Sequence, residues 1–134
     1  MKPHAHIRLD FSGTCSLGPG KIGLLEGIER TGSLSAAART LGMSYRRAWL
    51  LLHSTNEGFS EPVVELSVGG KDGGGRRLTE FGRRLIADFR RFEEAVESLA
   101  GKTFADVRVS AGADGETAPR RPVNRALGRG RGDR

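Results

Sequence analysis

The first regular pattern along the chain is an alternation. His6-Ile7-Arg8-Leu9-Asp10-Phe11 puts Ile7, Leu9 and Phe11 on one face of a short strand, and Ser12-Gly13 ends it. Cys15 to Pro19 reads as a loop, with Pro19 opening a helix because its missing N–H is not needed in the first turn. Ile22, Leu25 and Ile28, with Leu24 beside them, then form a helical stripe that stops at Thr31-Gly32. Gly23 and Gly27 lie on this helix, where each costs about 1 kcal/mol against alanine. Close approach by another helix is the expected compensation.

Ser33 is placed to N-cap a second helix. Leu34, Ala37, Ala38 and Leu41 follow at i, i+3, i+4 and i+7, an apolar face made largely of small residues. Gly42 closes it as a left-handed C-cap, and Met43 alone separates that glycine from the next N-cap candidate, Ser44. A third helix is expected from Tyr45 to about Asn56, with Tyr45, Ala48, Trp49 and Leu52 as its buried stripe. Gly58 and Pro62 break the pattern. Val63 to Val68 has strand composition, Arg77-Leu78 begins a return strand, and Gly69 to Arg76 forms a glycine-rich hairpin tip with cationic side chains.

Thr79-Glu80 starts the last helix, expected over about 79–100, with Phe81, Leu85, Phe89, Phe92, Val96 and Leu99 as its apolar residues. From Leu85 the spacing alternates four and three, the seam of a coiled coil. That seam, Leu85, Phe89, Phe92, Val96 and Leu99, is the expected dimer interface. An amphipathic helix packing only on its own domain is the alternative. The fold class predicted is mainly α with a small β-hairpin: a winged helix-turn-helix with a long C-terminal dimerisation helix.

Composition limits the rest. The 134 residues, 37% hydrophobic and 6% aromatic, allow one domain with a compact aliphatic core. The net charge of +6 suits a polyanionic partner. Its distribution weakens that inference: residues 1–103 hold 15 basic and 12 acidic side chains, and residues 104–134 hold 7 and 4. Half the surplus lies in a segment so rich in Gly, Ala, Pro and Arg that we expect a disordered basic tail over 104–134. The position of the charges therefore matters more than their sum.

Several classes drop out. Cys15 stands alone, giving no intrachain disulfide and no metal spacing, so a bland free thiol in a reducing compartment is expected. No run approaches the roughly 20 apolar residues of a membrane span, and Met1-Lys2-Pro3-His4 opens no signal peptide, which points to the cytoplasm. Three histidines, one cysteine and no paired carboxylates offer no catalytic site, and we expect neither a metal nor a cofactor. No nucleotide-binding glycine motif occurs either.

Two short helices joined by a glycine-containing turn are the sequence form of a helix-turn-helix. The third helix would present Ser44, Tyr45, Arg46 and Arg47 to the major groove of double-stranded DNA. Arginine can donate two hydrogen bonds to guanine, and Ser44 at the helix start suits a phosphate. Trp49 is read as core rather than contact. Lys71, Arg76 and Arg77 on the glycine-rich hairpin would reach flanking phosphates or a minor groove.

The motifs then become specific. Leu25-Glu26-Gly27-Ile28, Gly32-Ser33-Leu34-Ser35-Ala36-Ala37-Ala38 and Gly42-Met43-Ser44-Tyr45-Arg46-Arg47-Ala48-Trp49 resemble the N-terminal domain of ModE-type molybdate-dependent transcriptional regulators. Val68 to Gly82 resembles the wing and following helix of the same family. The likeness covers about residues 5–100; the LysR-type regulators share the helix-turn-helix plan but lack the glycine wing. The resemblance implies a winged-helix homodimer on a palindromic operator of molybdenum-related genes. It also implies a C-terminal molybdate-binding domain, for which the residues after Lys102 are too few. Two expectations follow: the sensor is a separate protein chain, or the regulator no longer responds to molybdate. The competing class is a winged-helix protein-interaction module, which the even charge of residues 1–103 keeps open.

Overall fold

The computed structural model describes residues 3–68 and 75–110. The chain falls into two compact units, Met1–Thr103 and Phe104–Arg134. The first contains β1 (Leu9–Asp10), β2 (Ser16–Leu17), α1 (Pro19–Thr31), α2 (Leu34–Thr40), α3 (Tyr45–Gly58), β3 (Val64–Ser67), β4 (Gly75–Leu78) and α4 (Glu80–Thr103). Among the described residues the fold is thus mainly helical, with two small antiparallel sheets. In the second unit the Val107 N–H donates to the Phe104 carbonyl at 3.0 Å. Of the 104–134 span of the tail expectation, residues 111–134 lie outside the described residues.

The N-terminal strand is shorter than its alternation suggested. Only Leu9 and Asp10 pair, with Leu17 and Ser16, so the stretch expected as a loop supplies the partner strand. Ile7 and Leu9 pack on the core, whereas Phe11 is 56% exposed because the chain turns at Ser12 to reach Cys15. Cys15 is buried, with Gly58 packed beside it.

α1 is the central helix. Ile22, Leu24, Leu25 and Ile28 are at most 1% exposed, so neighbouring elements cover a wide face of it. Gly27 explains how α2 comes so near: a Cβ there would lie 2.9 Å from the Ala37 Cβ. Gly23 meets only an ordinary contact with Leu41, so close helix approach accounts for one glycine and not the other. At the α1–α2 corner Gly32 has φ 73°, and its carbonyl accepts the Arg76 N–H at 3.0 Å, tying β4 to this turn. Ser33 caps α2 by accepting the Ala36 N–H at 3.0 Å. Gly42, at φ 68°, then turns the chain toward α3.

The β3–β4 hairpin pairs Val64 with Leu78 and Ser67 with Gly75. The return strand therefore begins at Gly75, two residues before the expected Arg77, because Gly75 and Arg76 already pair with Ser67 and Leu66. Polar contacts fix the hairpin's base. Asn56 of α3 accepts the Val63 N–H at 2.7 Å, and the Thr79 N–H donates to the Val63 carbonyl at 2.9 Å. Thr79 also caps α4, accepting the Gly82 N–H at 2.9 Å. At Gly82 any Cβ would collide with the Val63 carbonyl oxygen. α4 then lays Ile86 and Phe89 into the core, and no residue from Arg90 to Thr103 is fully buried.

Candidate nucleic-acid interface

α3 is positioned from both ends. At its start Ser44, in extended conformation, accepts the Arg47 N–H at 3.1 Å and fixes the first turn. Asn56 holds its last turn to β3 through the bonds to Val63 and Val64. Ala48, Leu52 and Thr55 face inward, and the Thr55 hydroxyl is satisfied by donating to the Leu51 carbonyl at 2.7 Å.

This buried stripe corrects the sequence expectation for two residues. Tyr45 and Trp49, expected in the buried stripe, are 50% and 41% exposed. Ala48 is fully buried together with Ala37 and Ala38 of α2. The buried face of α3 is narrow, made of Ala48, Leu52 and Thr55, and leaves the large aromatics at its edge. The Trp49 ring stacks on His53 instead, with centroids 4.8 Å apart and planes 8° from parallel.

Helical periodicity sets the outward order. Arg46, Leu50 and His53, at i, i+4 and i+7, run along the exposed side opposite Ala48 and Leu52. Tyr45 and Trp49 flank this line on one edge, Arg47 and Ser54 on the other. Arg46 and Arg47 are exposed, and among the described residues neither has an ion pair or a side-chain hydrogen bond. The same holds for Arg30 and Arg39. From Arg30 to Asn56 the chain has four arginines and no Asp or Glu.

The hairpin cations have three different settings. Arg76 is half-buried beside the Gly32 turn, and its Nε is buried without a hydrogen-bond partner among the described residues. Arg77 is exposed and donates to its cross-strand neighbour Glu65 at 3.0 Å. Lys71, with the rest of the 69–74 tip, lies outside the described residues.

The seam residues of α4 also divide. Phe89 is 2% exposed and belongs to this chain's own core, so it has no surface to offer a partner. Leu85 and Val96 are half-buried, while Phe92 and Leu99 are 42% and 63% exposed. The residue-level expectation of one continuous seam therefore loses Phe89. Its cause is the tilt of the buried face toward Gly82, Ile86 and Phe89, which leaves Phe92 and Leu99 along one edge.

Leu50, His53, Arg30 and Arg39 are exposed candidates that the sequence expectation does not include. Leu50-Leu51-Leu52 did carry a signal, since a helix on a narrow core face cannot bury three consecutive positions. The absence of acidic residues from Arg30 to Asn56 was also visible in the sequence. Among the described residues no group of three or more His, Cys, Asp or Glu is placed to hold a metal. No helix among them is long and apolar enough to cross a membrane.

No family model matches the chain. It is similar to the molybdenum-pterin-binding protein MopA of Rhodobacter capsulatus, with 40% identity over 97 residues, covering 72% of this chain and 37% of that protein. It is 36% identical over 110 residues to the molybdenum transport protein ModE of Azotobacter vinelandii, covering 82% of this chain and 41% of the relative. Over 68 residues it is 43% identical to the DNA-binding transcriptional dual regulator ModE of Escherichia coli K12, covering 51% of this chain and 26% of the relative. The chain thus spans less than half the length of each of these relatives. This partial match fits a ModE-family protein.

Proposed function

We propose that residues 1–103 form a winged helix-turn-helix that binds double-stranded DNA as a homodimer and regulates transcription, in the context of molybdenum-related genes. The observation that carries this reading is the outer face of α3: exposed, unpaired Arg46 and Arg47 behind a Ser44 cap, in a stretch with no acidic side chain. The Ser44 cap, the Asn56 bonds and the buried Ala48, Leu52 and Thr55 turn that face outward. In this reading α2 and α3 are the helix-turn-helix and β3–β4 is the wing. Ser44 and the α3 N-terminus meet a phosphate, Tyr45 lies at the groove edge, and Arg46 and Arg47 reach bases or backbone. Lys71, Arg76 and Arg77 supply the wing's phosphate contacts, Arg77 by exchanging a weak exposed ion pair.

The dimer is proposed from α4. Its C-terminal half outlasts the core and leaves Phe92 and Leu99 at the surface, with Leu85 and Val96 alongside. The regulatory and molybdenum parts of the reading rest on the names of the relatives, of which this chain spans the lesser part. Selection of bound duplexes from a random DNA pool, with and without molybdate, tests the whole. The expected result is a palindromic motif. Recovery of unenriched pool DNA would reject sequence-specific binding and favour a protein-interaction module. A motif unchanged by molybdate would place sensing outside this chain.

A further inference from the structure

The arginines explain how α3 could attract DNA, but not why two large apolar side chains stand beside them. Leu50 is 49% exposed in the middle of the outward side, four residues after Arg46, and Trp49 is 41% exposed next to it. Tyr45, Arg46, Trp49 and Leu50 together line a shallow depression of about 360 Å³. The core does not need these residues: Ala48 and Leu52 fill the inward positions of the same turns. The Trp49 indole stacks on His53, so one of its faces is covered within the helix and its edge and the Leu50 side chain are left to the outside.

We propose that Trp49 and Leu50 form a thymine-reading site, an apolar surface that receives 5-methyl groups in the major groove next to the base read by Arg46. This rests on the DNA-binding reading above and deepens it. Charge complementarity selects the occupant, because the patch lies within the acid-free stretch carrying Arg30, Arg39, Arg46 and Arg47, a setting suited to a polyanion. In the major groove the only apolar group a base presents is the thymine methyl. Four residues of helix rise about 6 Å, and base pairs are spaced about 3.4 Å apart. A guanine met by Arg46 and a thymine met by Leu50 therefore fall within about two base pairs of each other.

Replacing thymine by deoxyuridine removes the methyl group and nothing else. With the full chain and a duplex from the random-pool selection, each thymine is replaced in turn and affinity is measured. One or two positions should cost about fourfold each, the worth of burying one methyl-sized group. Leu50→Ala should make those replacements silent. Arg46→Ala should weaken binding but keep the uracil penalties. The scan on the unaltered chain needs no variant, and circular dichroism verifies that the variants fold. Normal binding with no uracil penalty anywhere would overturn the site while leaving the DNA-binding reading intact. So would penalties of the same size in Leu50→Ala and Trp49→Ala, or loss of self-association in Leu50→Ala, which would make the patch a contact between chains. Failure of the unaltered chain to bind any selected duplex would overturn both readings, and the thymine-containing duplex alone reveals that case.

Discussion

Consecutive arginines occur on both α3 and α4, and the two helices treat them in opposite ways. On α4, Arg90 donates to Glu26 of α1 at 2.9 and 2.7 Å and to Glu93 at 2.7 Å, while Arg91 donates to Asp88 at 2.7 Å. One turn or two earlier, Arg83 donates to the Leu78 carbonyl at 3.3 Å and Arg84 lies over the Phe81 ring at 5.8 Å. On α3, Arg46 and Arg47 have no such partner among the described residues. Side chains of one type thus do two jobs. Those of α4 are used within the fold, and those of α3 are left to whatever approaches it. Net charge cannot separate the cases, because it counts a paired and an unpaired arginine alike.

The comparison breaks most visibly if α4 is as outward-looking as α3. Its cations are tied, yet Phe92 and Leu99 remain exposed, and the proposed dimer covers them. Phe92→Asp combined with Leu99→Asp should convert the chain to a monomer in sedimentation experiments. Binding to a two-half-site duplex should then fall by about a hundredfold or more, because the second contact is no longer intramolecular. Binding to a single half-site should hold. An unchanged sedimentation coefficient would show that this edge of α4 faces only solvent.

A smaller effect probes the α3 arginines directly. Arg46→Ala should cost about 1–3 kcal/mol of binding and relax preference at one base position. A uniform loss across all sequences would place Arg46 on phosphate rather than a base edge. Neither Arg90→Ala nor Arg91→Ala should alter affinity at all. If Arg90→Ala weakened DNA binding as much as Arg46→Ala, the division between inward and outward arginines would fail.

The helices and caps were legible because each has a local cause. Ser33, Gly42 and Ser44 act on backbone groups within four residues of themselves, so the sequence alone locates them. The outward position of Arg46 and Arg47 followed from the same local phase. The misplacements share a different origin. Trp49 fits the apolar periodicity of α3, but the face that turns inward is the one of Ala48, Leu52 and Thr55, and it is selected by the neighbouring elements whose buried side chains share the core with Ala48. Phe89 fitted the heptad spacing as well as Phe92 did, and only the tilt of α4 on the core separates them. The pairing of Ser16–Leu17 with Leu9–Asp10 has too few residues to produce a periodic signal.

The smallest effect tests the inward half of the comparison. Arg90 binds Glu26 through two parallel N–H groups and Glu93 through a third, and the Glu93 side chain is only 14% exposed. Such a network contributes more than an isolated surface pair, while the 45% exposure of Arg90 keeps the total modest. Arg90→Ala should therefore lower unfolding stability by about 1 kcal/mol in a urea titration. The side-chain bond to Glu26 raises the Arg90 pKa above the ordinary arginine value despite partial burial. A cation whose folded pKa is raised contributes its full stability below its unfolded pKa and loses it as pH climbs through the folded one. Both values lie far above neutrality, so Arg90 stays charged in both states and its own titration adds no slope between about pH 6 and 9. Added salt should shrink the difference between wild type and variant only in part, since one carboxylate is shielded from solvent. A difference that vanished in moderate salt would mark the pair as an ordinary surface contact. Arg90 would then be as free to meet an outside partner as Arg46.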